Sequence, residues 1–185
     1  VVKIRGKKMR KIILYIAASL NNKIATPDGS VAWLDEIPNP EKTDYGYAEF
    51  LSSIDTTIQG YNTYQQLVDW GIEFPYKDKK NYVFSRKPDR FNNGYVEFIT
   101  EDKIEYFRAL KNTEGKDIWV IGGGQINTIF LNAGLIDEIR LFVMPVILSG
   151  GIDLFDEVPL ATKLNLISSR TYNSGVVENT YQIEH

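Results

Sequence analysis

The segment Ile118–Leu131, IWVIGGGQINTIFL, sets three consecutive glycines between an apolar run of strand character and a run of helical period. A parallel strand that turns directly into a helix presents free backbone N–H groups and a positive helix end at the carboxyl edge of a sheet, where anions bind. Glycines remove the side chains that would hold a phosphate or a flat ring away from that backbone. Gly122 and Gly124 match the first half of G-x-G-x-x-G, but Asn127 occupies the third position and the segment follows a late strand, so the dinucleotide fingerprint is not met. The residues alone leave two readings open, a phosphate cradle and a tight strand-to-helix packing. A second cluster, FSRKP at Phe84–Pro88, joins the hydroxyl of Ser85 to the charges of Arg86 and Lys87; such a set can hold a dianion or form an exposed basic turn.

The absent residues exclude other chemistry. The 185-residue chain has no cysteine, which removes disulfides, thiolate metal sites and cysteine nucleophiles and allows a reducing, cytoplasmic setting. Its single histidine is the terminal His185, so Ser–His–Asp catalysis and a His-ligated metal lose support, and no metal is expected. Proton transfer then falls to Asp, Glu, Tyr, Lys or water. With 21 Lys and Arg against 24 Asp and Glu, the net charge of −3 carries no basic footprint for nucleic acid. No apolar run is long enough for a bilayer, and the basic start VVKIRGKKMR lacks the apolar core of a signal peptide.

These residues need elements to position them. Strand-length apolar runs at Lys11–Ala18, Thr56–Gly60, Asn81–Ser85, Tyr95–Ile99, Asp117–Ile121 and Glu138–Val146 alternate with helical periods at Tyr45–Ile54, Thr63–Trp70, Asp102–Lys111 and Gln125–Ala133. That alternation predicts an α/β fold with a mostly parallel sheet, and Asp44, Asn62 and Thr100 or Glu101 stand near plausible helix caps. Leu164–Tyr172 and Val176–Glu184, separated by NSG, read as an antiparallel hairpin on the sheet edge. The expected organisation is one domain over residues 9–185, with residues 1–8 a tag or disordered extension. Two long connections, Ser19–Lys42 and Leu148–Lys163, are candidate functional loops.

Tyr47, Phe50, Leu51 and Ile54 form an i, i+3, i+4, i+7 stripe, and Asp44 lies one turn ahead on the same face, where it is either a proton carrier or the helix cap. Asp28 in TPDGS reads as a turn residue, Asp35 and Glu36 as loop charges, and Asp137 and Glu138 as structural acids at a strand start.

In order and spacing, ILYIAASLNNKIA, TTIQGYNTY, VFSRKP, WVIGGGQINTIFLNAGLIDEIRL and PVILSGGIDLF resemble the dihydrofolate reductase-like fold, and within it the RibD C-terminal-domain family of reductases. The resemblance covers nearly all of Met9–His185 and implies a three-layer α/β/α reductase that binds NADPH. It places Gly122 and Gly123, often joined by a cis peptide, against the pyrophosphate, and starts the phosphate-facing helix at Gly124, Gln125 and Ile126. It puts Ser85, Arg86 and Lys87 around the adenosine 2′-phosphate and adds Ala18, Ile24, Gly60, Asn62 and Thr63 to the cofactor set. Dihydrofolate reductases carry their acid sixteen positions before the glycine of Gly-x-x-Thr, which is where Asp44 stands relative to Gly60.

Tyr61 replaces the arginine of Gly-Arg-x-Thr, which removes a second charged contact to the 2′-phosphate and bears on the choice of coenzyme. Two departures bear on the substrate: the stretch GIEFPYKDKK offers no arginine for a glutamyl carboxylate, and Phe142 stands where folate reducers have threonine. The reading is a reductase of a pyrimidine- or pteridine-like heterocycle, similar to the aminouracil reductase of riboflavin biosynthesis. The alternatives are a dihydrofolate reductase and a nucleotide-binding module without turnover. Trp33, Tyr47, Phe50 and Phe142 are expected to stack the substrate ring, and Lys77, Lys79 or Lys80 to meet a phosphate on it. The resemblance also implies a homodimer.

Overall fold

The computed structural model describes residues 9–87, 92, 94–158 and 161–184; the extension at 1–8, Pro88 and His185 lie outside the described residues. In chain order the elements are β1 (Ile12–Ser19), β2 (Lys23–Ala25), a turn of 3-10 helix (Ala32–Leu34), α1 (Tyr47–Ser53), β3 (Ile54–Gly60), α2 (Tyr61–Asp69), β4 (Lys80–Phe84) and β5 (Val96–Ile99). There follow α3 (Ile104–Leu110), β6 (Asp117–Gly122), α4 (Gly124–Asn132), β7 (Glu138–Met144), β8 (Ile152–Asp153), β9 (Leu164–Thr171) and β10 (Val177–Ile183).

Eight strands form one sheet in the order β5-β4-β3-β6-β1-β7-β10-β9. Strands β5 to β7 pair in parallel, and β10 joins antiparallel to both β7 and β9, so the hairpin completes the sheet at its edge as expected. Alternation along β1 builds the layers. Ile12 and Leu14 face a core with Phe107 of α3 and Phe130 of α4, whereas Ile13 faces a second core with Phe50 of α1 and Leu67 of α2. The result is α/β/α.

Polar side chains fasten the amino end of the sheet. Asp137 accepts the Ile12 amide at 2.7 Å and the buried Lys111 ammonium at 2.6 Å, and Glu138 pairs with Lys11 at 2.8 Å and Arg140 at 2.6 Å. The acids of LIDEIRL are therefore structural, as their position predicts, and they stand at the end of the strands opposite the ligand-binding edge.

Two expected caps differ. Helix α2 begins at Tyr61 with Gly60 as its N-cap, so Asn62 and Thr63 sit within the first turn and make no cap bond. Helix α3 begins at Ile104, where Asp102, not Thr100 or Glu101, accepts the Ile104 amide at 3.0 Å.

The two long connections find each other. Strands β2 and β8 form a separate two-stranded sheet, reinforced by Lys23–Asp153 at 2.6 Å, by Leu154 N to Asn22 O at 2.9 Å, and by Asn21, whose side chain exchanges hydrogen bonds with the Leu148 backbone at 2.8 and 3.1 Å. SLNNKIA and SGGIDLF thus become one strap across the carboxyl edge of the main sheet. Gly151, at φ +143, admits the Ala25 carbonyl where any side chain would obstruct it.

Candidate functional site

A cavity of about 670 Å³ opens between the first turns of α2 and α4 and the end of β4. Its lining includes Gly60, Asn62, Thr63, Ser85, Arg86, Lys87, Gly123, Gly124, Gln125 and Ile126, so most of the residues expected to hold a cofactor are brought to one place. The two helix starts abut: a Cβ on Gly60 would come within 3.3 Å of Ile126 Cγ1. Both helix amino ends therefore serve the same hollow.

The basic end is held by local bonds. Ser85, 8% exposed, accepts the Lys87 amide at 3.1 Å and so folds the turn that carries both cations. Arg86 reaches across from this turn to donate to Gln125 Oε1 at 3.2 Å, linking the β4 end to α4.

The three glycines have three different reasons. Gly122 holds φ +124, a conformation that L side chains rarely adopt, and its bond to Gly123 is cis, as the resemblance implied. A Cβ on Gly123 would meet only Ile24 Cδ1 and Thr63 Oγ1, each at 3.9 Å, so space is left beside its backbone. Gly124 lines the cavity but also lies against the Asp153 carbonyl, which a Cβ would strike. Asn127 Nδ2 donates to Leu154 O at 2.9 Å, and Thr128 Oγ1 accepts the Asp156 amide at 2.8 Å. The third glycine, Asn127 and Thr128 thus seat the strap on α4.

Ala18, Ile24 and Gly122 do not line this cavity. Ala18 is fully buried in β1 opposite Val143, while Ile24 reaches the edge of the site from the strap. Tyr61, Glu101, Ile129 and Asp156 line the cavity and were not expected there. Tyr61 follows Gly60 directly, and Ile129 lies one turn beyond Ile126 on the same helical face, so period alone could have found both. Glu101 and Asp156 arrive from loops and left no local signal.

Of the residues expected to stack the substrate, Trp33, Phe50 and Phe142 are 7%, 2% and 3% exposed and belong to core clusters. Tyr15 stacks on Phe50 at 4.1 Å and meets Phe142 at 4.8 Å, filling the space a heterocycle would need between them. Tyr47 stays partly exposed, with its hydroxyl 3.1 Å from that of Tyr76; burial raises the pKa of both phenols. The lysines offered for a phosphate are committed as well: Lys77 pairs with Glu73, Lys79 with Asp78 at 3.2 Å, and Lys80 with Glu97 at 3.0 Å.

Asp44 is exposed just before α1. Its Oδ2 accepts the Ala48 amide at 3.0 Å and its Oδ1 the Gly46 amide at 2.9 Å, and these bonds hold the carboxyl below its ordinary range. The capping role is therefore present in the structure. Its charge also reaches the hydroxyls of Tyr15 and Tyr172, whose pKa values are raised, chiefly by burial.

Residues 10–178 match the RibD C-terminal domain. The chain is 40% identical over 167 residues to the uncharacterized protein YwjB of Bacillus subtilis (strain 168), covering 90% of this chain and 95% of that one. It is 36% identical over 188 residues to the uncharacterized protein YyaP of the same organism, covering 94% and 95%. Among solved structures, a protein assigned to riboflavin biosynthesis from Shewanella sp. PV-4 superposes with a TM-score of 0.83 at 29% identity, covering 95% of this chain and 99% of that one. A deaminase/5-amino-6-(5-phosphoribosylamino)uracil reductase from Thermotoga maritima shares the fold at TM-score 0.70 and 18% identity, covering 96% of this chain and 57% of that longer one. The sheet order, the glycine-started helix and the matched span agree, and the chain belongs to the RibD C-terminal domain family, with the dihydrofolate reductase-like fold of RibD-like reductases.

Proposed function

We propose that the protein is an NADPH-dependent reductase of a pyrimidine- or pteridine-like heterocycle. The observation that carries this reading is a single cavity with Ser85, Arg86 and Lys87 on one wall and the glycine-started first turn of α4 on another. The fit to a dinucleotide phosphate is local and specific: backbone amides and open space beside Gly123 suit a pyrophosphate, and two cations with a hydroxyl suit a ribose phosphate. When bound, the reduced nicotinamide would supply hydride. The protein's own share is to bind, to orient and to bring a proton. Asp44, kept ionised by two backbone amides, would act as a carboxylate that orients a water for proton delivery to the ring.

The test is paired. NADPH should bind at least tenfold tighter than NADH, since charge-assisted contacts contribute on the order of 1.5–3 kcal/mol each. Equal dissociation constants would remove the assignment of Ser85, Arg86 and Lys87 to the 2′-phosphate. Turnover on a panel of aminouracil and dihydropteridine compounds then separates the reductase from a module that binds nucleotide without chemistry.

The assembly we propose is a homodimer through β9. All eight residues of this edge strand are exposed, with Leu164, Leu166 and Ile167 at 42%, 56% and 59%, whereas the opposite edge, β5, is short and carries Glu97 paired to Lys80 and Lys103. An exposed edge of this length invites strand pairing, and Leu164, Leu166 and Ile167 give it an apolar stretch at one end that a second β9 related by a two-fold axis would cover. Light scattering at micromolar concentration should give twice the chain mass; a monomer there overturns the proposal. A cytoplasmic setting belongs to the same reading. Among the described residues, no helix is long and apolar enough to cross a membrane.

A further inference from the structure

We infer that Asp156 sets the charge selectivity of the cavity, admitting the pyrophosphate diester of a dinucleotide and working against the denser charge of a nucleoside triphosphate. The role rests on the dinucleotide reading and adds to it what the site rejects. The charged residues that line the cavity are Arg86, Lys87, Glu101 and Asp156, two cations against two acids, so the hollow carries no net charge despite its basic turn. The two acids are placed differently. Glu101 follows β5, whose last residue, Ile99, accepts the Ser85 amide at 2.8 Å, so it stands near the basic turn, and its carboxyl lies 3.8 Å from the Lys103 ammonium. Asp156 stands at the head of α4, and among the described residues no ion pair includes it.

Its place is fixed from the backbone. The Asp156 amide donates to Thr128 Oγ1 at 2.8 Å, and the same hydroxyl donates to Gly124 O at 2.8 Å, which ties the residue to the first turn of the helix. Its Oδ1 lies 3.5 Å from the point that a Cβ on Gly124 would occupy, beside the first residue of α4. That turn has no acidic residue of its own, so the carboxylate at the helix head comes from another part of the chain. An anion bound at the α4 amides must share the helix end with this negative charge. A diester phosphate brings one charge there, whereas a terminal phosphate brings about 1.5 to 2, and the repulsion grows in proportion. Backbone amides and a helix end attract phosphates of every kind, so selectivity among them needs a repulsive element. Asp156 supplies it. The side chain is exposed, which keeps the repulsion moderate and open to screening by salt.

Equilibrium titration of the full chain with NADPH, NADH and ATP in metal-free buffer tests the assignment, since NADH and ATP share adenosine and differ in the charge of the phosphate chain. Asp156→Asn should tighten ATP about tenfold and NADH by no more than about threefold. The ratio of NADPH to NADH affinity should stay within about twofold of the parent value, because the 2′-phosphate is proposed to lie at Ser85–Lys87. Asp156→Ser should behave as Asp156→Asn does, and Asp156→Glu, which keeps the charge, should keep the parent order; the series decides the question even if one variant fails to fold. The gain in ATP affinity should shrink severalfold at 1 M salt, where the screening length is about 3 Å. Equal tightening of ATP and NADH, or ATP binding that is unchanged or absent in both uncharged variants, overturns the selective role and leaves Asp156 a favourable charge at a helix end, with the cofactor assignment intact. Failure of the parent to bind either dinucleotide at millimolar concentration overturns the dinucleotide reading itself, and the role of Asp156 with it.

Discussion

Alanine at Gly124 is expected to destabilise the folded protein by about 1–3 kcal/mol, the usual cost of overpacking, while alanine at its neighbour Gly123 leaves stability nearly unchanged. The difference lies in what each new methyl group meets. At Gly124 it meets the Asp153 carbonyl, part of a backbone pinned to α4 by Asn127 and Thr128, so the strap or the helix must shift. At Gly123 it meets two side chains at 3.9 Å, an ordinary van der Waals contact. Binding should show a contrast of its own. Gly123→Ala places its methyl group where the pyrophosphate is proposed to lie and should weaken NADPH about 10- to 100-fold, the same overpacking free energy charged to the ligand. Thermal melts of the two variants, with and without NADPH, check both halves. Equal melting temperatures for Gly124→Ala and the parent would refute the seating role of the third glycine.

The second large effect is expected in turnover. Asp44→Asn should slow reduction by roughly 10²-fold or more, the usual scale of general acid–base catalysis, and leave NADPH affinity within a factor of about two. Asparagine keeps one acceptor oxygen where the carboxylate has two, so one of the bonds to Gly46 and Ala48 is lost and some stability with it. The melting temperature therefore measures the cap, and the rate measures the chemistry. Because the amides favour the ionised form, a rate that depends on the carboxylate should persist to a pH below the ordinary aspartate range and fall only as acid protonates it. Full turnover by the variant would leave Asp44 a helix cap, with the proton taken from water or another side chain.

Most of the architecture was legible in the sequence because the strands are apolar runs bounded by turn residues and the helices carry a buried stripe. Six strands, four helices and the hairpin fall within a few residues of their expected limits. What could not be read had no local signal. Strands β2 and β8 are three and two residues long, too short for any period, and they exist only because the two connections meet. The role of Gly124 depends on a carbonyl 29 positions along the chain. The burial of Phe50 and Phe142 escaped the sequence for a related reason: composition cannot tell an aromatic that lines a pocket from one that fills the core, and the ring packed between them is Tyr15 of β1. The gathering of Ser85–Lys87 and the glycine-started α4 around one cavity was easier to read, since strand-to-helix junctions at glycine can be recognised from a dozen consecutive residues.

The strand order carries a consequence for how the chain is made. Strand β1 is a central one, yet both its neighbours, β6 and β7, pair with it from more than a hundred residues downstream. Until Asp117–Gly122 and Glu138–Met144 have left the ribosome, Ile12–Ser19 has nothing in the sheet to pair with, and two bare apolar edges must wait. The strap cannot close until Asp153 follows, because its first half, Lys23–Ala25, likewise precedes its partner by more than a hundred residues. Such a chain gains its stability late and nearly all at once. For that interval it is the kind of nascent polypeptide that holding chaperones are built to shelter.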